Sequence, residues 1–405
     1  MDFNKNQLLY IDVTRLIRRQ WQKLMPTGID RVMLSYVQHY QNTADALFYF
    51  LGVFWVIPRT HSKKLYHLLL SSASKRTLIT TLIRGVVAGI AQRNKGAARL
   101  AQEQQVRRTL LALGHSSLEK KHYIKGIKRL ELEPIFFIHD LIPITHPEYC
   151  RLGENEKHSR RMINALTVAK GIIVNSQATQ EALLEFSAFV QSKAPLMTVA
   201  HLGTELLERQ SQKDVGRSRQ KTINTPYFVV LGTIEPRKNH LLLLHIWQKL
   251  IHEMGARAPR LIIIGRRGWE CEHVTRMLDR CTSFNGVIFE WSRCSDEQLA
   301  ACLRGSQALL FPSFVEGYGL PLIEALVAGT PVIASALPAF RELAHNIPEY
   351  IDPTDTKQWL SVIADYTNSD SALRAAQLKR LADYKAPSWT NHFSKIDIFL
   401  QSIVA

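Results

Sequence analysis

Acidic residues are in short supply. The chain has 405 residues, with 35 Asp and Glu against 51 Lys and Arg, a formal net charge of +16. The deficit is concentrated: Arg59 to Arg129 holds sixteen Lys and Arg and only two acids, Glu103 and Glu119. Such a surface favours a polyanion, whether anionic lipid, nucleic acid or a phosphorylated substrate. Cysteine is also sparse. Cys150, Cys271, Cys281, Cys294 and Cys302 are odd in number and fit no zinc spacing. This excludes a disulfide scaffold and points to free thiols in a reducing compartment. No uncharged apolar run reaches the roughly 18 residues of a membrane span; the longest, Leu78 to Ala91, is broken by Arg84 and two glycines. The polar N-terminus, Met-Asp-Phe-Asn-Lys-Asn-Gln, does not read as a signal peptide. No Gly-x-Gly-x-x-Gly follows an early strand, which argues against a dinucleotide dehydrogenase. Without aromatic-interleaved or zinc-finger patterns, the positive charge does not suggest nucleic acid.

The length exceeds what one core usually serves, so two domains are expected. Strand-like apolar runs alternate with stretches of helical spacing: Leu8–Thr14, Ala46–Val56, Pro134–Asp140, Gly171–Ser176 and Met197–Gly203 in the first half, then Tyr227–Gly232, Leu261–Ile264, Val287–Trp291, Ala308–Phe311, Pro331–Ser335 and Tyr350–Asp352 in the second. That alternation predicts an α/β protein with two Rossmann-like parallel sheets. The polar, aperiodic stretch Glu208–Asn224 reads as a linker. It divides a first domain, 1–207, from a second, 222–385, with a terminal helix over 386–405. The basic region 59–130 is expected to be a helical insertion.

The most informative stretch runs Phe-Pro-Ser-Phe-Val-Glu316-Gly317-Tyr318-Gly319-Leu320-Pro321-Leu-Ile-Glu324-Ala-Leu. An apolar strand precedes it. Gly317 and Gly319 permit turns closed to other residues and a close approach to a ligand. Pro321 suits the first turn of a helix. A strand, a glycine loop and a helix N-terminus together form a place for phosphate. Two carboxylates beside that place suggest a nucleotide sugar, with amides for its phosphates and acids for its hydroxyls.

This block resembles the Glu-x7-Glu motif of the retaining glycosyltransferases of family 4, which adopt the two-domain GT-B fold with a central cleft. The resemblance is strong over Tyr227 to Asp352. It implies that Glu316 binds the donor sugar, that Glu324 binds the ribose hydroxyls, and that Gly317, Tyr318, Gly319 and Leu320 lie along phosphate and sugar. Thr233 to His240 resembles the family's phosphate-binding loop, so Lys238 and Arg237 would neutralise the leaving diphosphate. Many members carry an Arg where Thr233 stands. Gly265-Arg266-Arg267-Gly268 would lie near the base. In the first half, Gly28 of Thr-Gly-Ile-Asp-Arg would lie against the diphosphate. His139, in Phe-Ile-His-Asp-Leu-Ile-Pro, would face the reacting sugar, with charge switching near neutral pH and with Asp140 to orient it. The terminal helix would cross back to the first domain.

The expected reaction is retaining transfer of a hexose, mannose-like by the look of the His139 segment, from a nucleotide-diphosphate sugar such as GDP-mannose. The acceptor would be a hydroxyl of a glycan or lipid-linked acceptor in bacterial surface polysaccharide assembly. No Asp-x-Asp occurs, so neither metal nor cofactor is expected. The alternative is an inactive scaffold or glycan-binding protein on the same fold. Leu65, Leu68, Leu69, Leu78, Leu82, Ile83, Val86, Val87 and Ile90 recur at steps of three and four between basic residues. This pattern suits either the interface of an anionic membrane or a helix pair packed on the first domain. A cytoplasmic protein, peripheral on the inner membrane face, is therefore expected.

Overall fold

The computed structural model describes residues 7–71, 74–96, 106–204 and 225–404. The linker and domain boundary expected around 208–224 lie outside the described residues, as does Glu103.

The first sheet contains seven strands: β1 (Gln7–Asp12), β2 (Ala44–Phe50), β3 (Val53–Val56), β4 (Arg107–Ala112), β5 (Leu132–Ile138), β6 (Gly171–Val174) and β7 (Leu196–Val199). Their spatial order is β3-β2-β1-β4-β5-β6-β7. Every pairing is parallel except β2 with β3. The second sheet has six strands: β8 (Tyr227–Leu231), β9 (Arg260–Ile264), β10 (Ile288–Trp291), β11 (Leu309–Phe311), β12 (Val332–Ser335) and β13 (Glu349–Ile351). They run parallel in the order β10-β9-β8-β11-β12-β13. The central strands are apolar on both faces, as parallel strands covered by helices must be; Leu9, Ile11, Phe136, Ile138, Val229 and Leu310 are all buried.

In each sheet the chain winds outward from a central pair and then reverses. The reversal falls between β1 and β4 in the first sheet and between β8 and β11 in the second. Such switch points open a crevice beyond the carboxyl ends of the strands. The loops that follow β8 and β11 carry Lys238 and Glu316; the segments that follow β1 and β4 carry Arg15, in the first turn of the helix Thr14–Trp21, and His115.

Two local features differ from the sequence reading. Ala46–Val56 is a hairpin rather than one strand, turning at Leu51 and Gly52, both with left-handed φ (49° and 80°). The expectation of one continuous strand followed its unbroken aromatic run, in which a single glycine was the only turn signal. The region 59–130 is not a purely helical insertion. The helices Arg59–Leu70, Lys75–Gly96 and Lys121–Arg129 are there, but β4 lies among them at the centre of the sheet. Its Arg107 and Arg108 hide it among the basic residues, while Thr109 to Ala112 are buried.

The terminal helix Trp389–Val404 packs on the first domain. The Tyr40 hydroxyl donates to Asp397 at 2.6 Å, and His392 Nε2 lies 2.9 Å from the Tyr36 hydroxyl. Gly203 backs onto the helix start so closely that a Cβ there would lie 2.3 Å from the Trp389 nitrogen. Gly203→Ala is therefore expected to cost about 1–3 kcal/mol by overpacking, read as a lowered midpoint in thermal denaturation.

Candidate active site

Glu316 and Lys238 meet at the switch point of the second sheet. The chain leaves β8 at Gly232, makes a short 3₁₀ turn over Pro236–Lys238 and enters the helix His240–Met254 through Asn239, whose φ is 54°. This turn directs Lys238 inward. Its ammonium lies 2.5 Å from Glu316 Oε1 and 4.5 Å from the centre of the Phe311 ring. Arg237 donates to Glu316 Oε2 and to Glu235 Oε1, both at 2.6 Å. Its second terminal contact is the Val315 carbonyl at 3.1 Å. The Ser313 hydroxyl completes the set, 2.9 Å from Glu316 Oε1.

Burial alone would raise the Glu316 carboxyl, but Arg237 and Lys238 outweigh it and hold its pKa down at about 2. Burial lowers Lys238, against the pull of Glu316, and raises Glu235, against the pull of Arg237. Attraction to Glu316 and Glu235 overcomes burial at Arg237 and holds its guanidinium firmly charged. In this arrangement each cation faces a carboxylate.

The helix Leu320–Val327 begins after Gly319, whose φ is 124° and whose missing Cβ leaves room for the Phe340 ring. Glu324 is buried on this helix and pairs with Arg31 of the first domain at 2.6 Å. Arg31 belongs to the helix Gly28–Tyr40, and a Cβ on Gly28 would come within 3.3 Å of Leu320 Cδ1. Two helix N-termini from opposite domains thus converge at Gly28 and Leu320. Asp30, capped by the Thr27 amide and hydroxyl at 2.7 Å each, holds Arg15 at 2.7 Å and Arg19 at 2.6 Å. Arg266 approaches from the second domain near enough to depress Arg19, adding to the larger effect of burial. Its neighbour Arg267 turns outward to Asp279 and Glu290. Around Gly28, three arginines (15, 19 and 31) therefore pair with two carboxylates, Asp30 and Glu324. The excess positive charge and the two helix dipoles suit a diphosphate.

Gly317 lies where the domains touch. A Cβ on it would come within 2.6 Å of the His139 carbonyl and of Asp140 Cβ. Its own carbonyl accepts from the hydroxyls of Ser176 at 2.8 Å and Thr179 at 3.2 Å, at the start of the helix Gln177–Phe189. The Tyr318 hydroxyl donates to the Leu202 carbonyl at 2.8 Å. Glu342 accepts from the Gln177 amide at 2.9 Å with each oxygen and from His201 at 2.6 Å. Gly317 and Tyr318 are thus domain-to-domain contacts as well as parts of the glycine loop.

His139 departs from its expected behaviour. Its Nε2–H donates to the Leu113 carbonyl at 2.9 Å, and burial lowers its pKa to about 4. It is neutral at pH 7 and does not switch near neutrality. Asp140 does not orient the ring; it accepts from the Ile142 amide at 3.2 Å. Among the described residues the site gathers Glu316, Lys238, Arg237, Gly317, Tyr318 and Gly319 in one place, with Glu324, Leu320, Gly28 and Arg266 along the same cleft. Arg15, Arg31, Glu235, Ser176 and Glu342 are further site residues that sequence reasoning did not single out. Only Arg31 had a local signal, three positions after Gly28.

Residues 225–368 match the family described as Glycosyl transferases group 1. The chain carries a group 1 glycosyltransferase domain. The serotype-specific mannosyltransferase WbdA of Escherichia coli is similar at 30% identity over 244 residues, covering 56% of this chain and 30% of WbdA. O-antigen chain mannosyltransferase B of the same organism is 27% identical over 253 residues, covering 62% and 66% of the two chains. The matched regions thus span less than two thirds of the length of either relative. The solved structure of Anabaena HepE in complex with UDP and glucose superposes over 98% of this chain and 99% of that one, with a TM-score of 0.65 at 16% identity. Trehalose-6-phosphate synthase OtsA superposes with a TM-score of 0.61 at 11% identity, over 98% of both chains. The fold of this chain is GT-B.

Glu316 sets a pH dependence. Its carboxyl is held below the ordinary value of 4.5, so the stability it contributes is present above that value and is lost as pH falls through about 2. The unfolding free energy is expected to fall between about pH 5 and 2, by on the order of 1–3 kcal/mol from this group. Glu316→Gln should flatten that slope in urea titrations across the window.

Proposed function

We propose that the protein transfers a hexosyl group, mannose-like by preference, from a nucleotide-diphosphate sugar to a hydroxyl of a glycan or lipid-linked acceptor in bacterial surface polysaccharide assembly. The observation that carries this reading is the buried contact of Lys238 and Arg237 with Glu316 at the sheet's switch point, beside two facing helix N-termini. The similarity to E. coli mannosyltransferases supports the sugar class and the polysaccharide context. GDP-mannose is the donor to test first.

In this mechanism the diphosphate takes the place of Glu316 on Lys238 and Arg237, and the released carboxylate receives donor-sugar hydroxyls. The amides at the start of Leu320–Val327 and Gly28–Tyr40 add their partial charge. Negative charge grows on the leaving diphosphate as the glycosidic bond lengthens, and preorganised cations in a dry site stabilise that change most. Glu324 takes the ribose hydroxyls beside Arg31. No carboxylate is assigned the role of nucleophile in a double displacement. A front-face path fits better: the departing phosphate oxygen accepts the acceptor's proton and the anomeric configuration is retained. Neutral His139 lines the first-domain side of the cleft and is not a general base on this reading. Charge neutralisation falls to Lys238, Arg237 and helix dipoles, so the reaction proceeds without a metal ion.

Incubating the protein with GDP-mannose, UDP-glucose and related donors, and following nucleotide release and the anomeric NMR signal of the product, tests this directly. GDP release with an α-linked product from an α-linked donor is the expected result. Lys238→Ala should lower kcat by about 10²- to 10³-fold, the usual cost of losing one preorganised charge contact. Full transfer activity in that variant would contradict the site.

A further inference from the structure

The helix Lys75–Gly96 is apolar on two opposite sides, and the fold accounts for only one. On the inner side Leu78 is buried, and Gly85 and Gly89 let the helix press against Ile57, Val56 and Pro58. A Cβ on Gly89 would lie 2.3 Å from the Val56 carbonyl oxygen. On the outer side Ile83, Val87 and Ile90 recur at steps of four and three, the spacing of one helical stripe. They are 57%, 59% and 44% exposed. At the end of the helix Thr14–Trp21, Trp21, Leu24 and Met25 are 49%, 38% and 51% exposed. The Lys75 ammonium lies 5.9 Å from the Trp21 ring centre, which joins this apolar cluster to the start of the stripe.

The charge around these side chains has one sign. Residues 7–96 contain thirteen Lys and Arg and only three acids, Asp12, Asp30 and Asp45. Each acid is engaged: Asp12 is buried and accepts from Tyr123, Asp30 is buried between Arg15 and Arg19, and Asp45 pairs with Arg59. Arg18, Lys23, Lys63, Lys64, Lys75, Arg76 and Arg84 are all exposed. A protein partner with an ordinary mixed surface would leave many of these cations unpaired, whereas anionic head groups would pair those beside the stripe, Lys75, Arg76 and Arg84 on its own helix, and take the apolar stripe at the acyl boundary.

We propose that this face docks on an anionic phospholipid bilayer, with Ile83, Val87, Ile90, Trp21 and Met25 entering the interface and the basic residues contacting head groups. Among the described residues no helix is long and apolar enough to cross a membrane, so the contact is interfacial. It stands on surface residues alone and does not depend on the transfer reaction.

Full-length protein is to be sedimented with phosphatidylcholine vesicles with and without phosphatidylglycerol. Binding is expected only with phosphatidylglycerol, and it weakens as salt rises. The triple variant Ile83→Ser, Val87→Ser, Ile90→Ser should bind at least tenfold less at an unchanged melting temperature, because these side chains are exposed. The variant Arg76→Glu, Arg84→Glu should bind less in low salt. Nucleotide binding, measured by calorimetry, should be unchanged in both, which separates failure here from failure of the catalytic reading. Equal vesicle binding by the triple variant would overturn the proposal. So would a wild-type dimer in ultracentrifugation that the triple variant lacks, without vesicle binding, because the face would then belong to a second copy.

Discussion

One buried carboxylate governs the second domain's site. Glu316 is removed from water, a transfer that is very unfavourable for an unpaired charge. Lys238, Arg237 and Ser313 surround it, and the two cations hold it ionised. In turn Glu316 is what keeps Lys238 inward, since burial alone would favour the neutral amine. The three side chains come from two loops on neighbouring strands. Their mutual attraction therefore fixes the Gly232–Asn239 loop against the Ser313–Gly319 loop.

The first domain holds the same glycine loop from the other side. Gly317 fits against the His139 carbonyl because it has no Cβ, and its carbonyl is bound by Ser176 and Thr179. Glu342 reaches the start of the helix Gln177–Phe189, where its charge suits the positive end of that helix. Arg31 reaches Glu324. The contacts run in both directions, so the glycine loop is shaped by the first domain as well as by its own.

Much of the fold was legible because parallel strands covered on both faces are continuous apolar runs. Gly171–Val174, Tyr227–Leu231 and Arg260–Ile264 stand out for that reason. β4 did not stand out. Its first two residues are arginines, and its neighbours in sequence are basic helices. The β2–β3 hairpin was concealed by aromatic residues that belong equally to both strands. The site was legible where motif residues lie close together in sequence, as from Glu316 to Glu324 and from Arg237 to Lys238. Arg15, Ser176 and Glu342 were not, since each acts on a partner far away in the chain.

Taken alone, the sequence determined the α/β class, the two-domain plan, the glycine loop before a helix, and the carboxylates and cations available for a nucleotide sugar. These follow from local periodicity, turn chemistry and residue type, which need no knowledge of distant neighbours. Only the tertiary structure decided which charges meet. It placed Lys238 against Glu316 and Arg31 against Glu324, and it left one side of the helix Lys75–Gly96 uncovered. It also made His139 neutral by burying it against Leu113, where residue type alone suggested a group that titrates near pH 7. A side chain's charge state and accessibility are set by what surrounds it in space, and chain order carries little information about that.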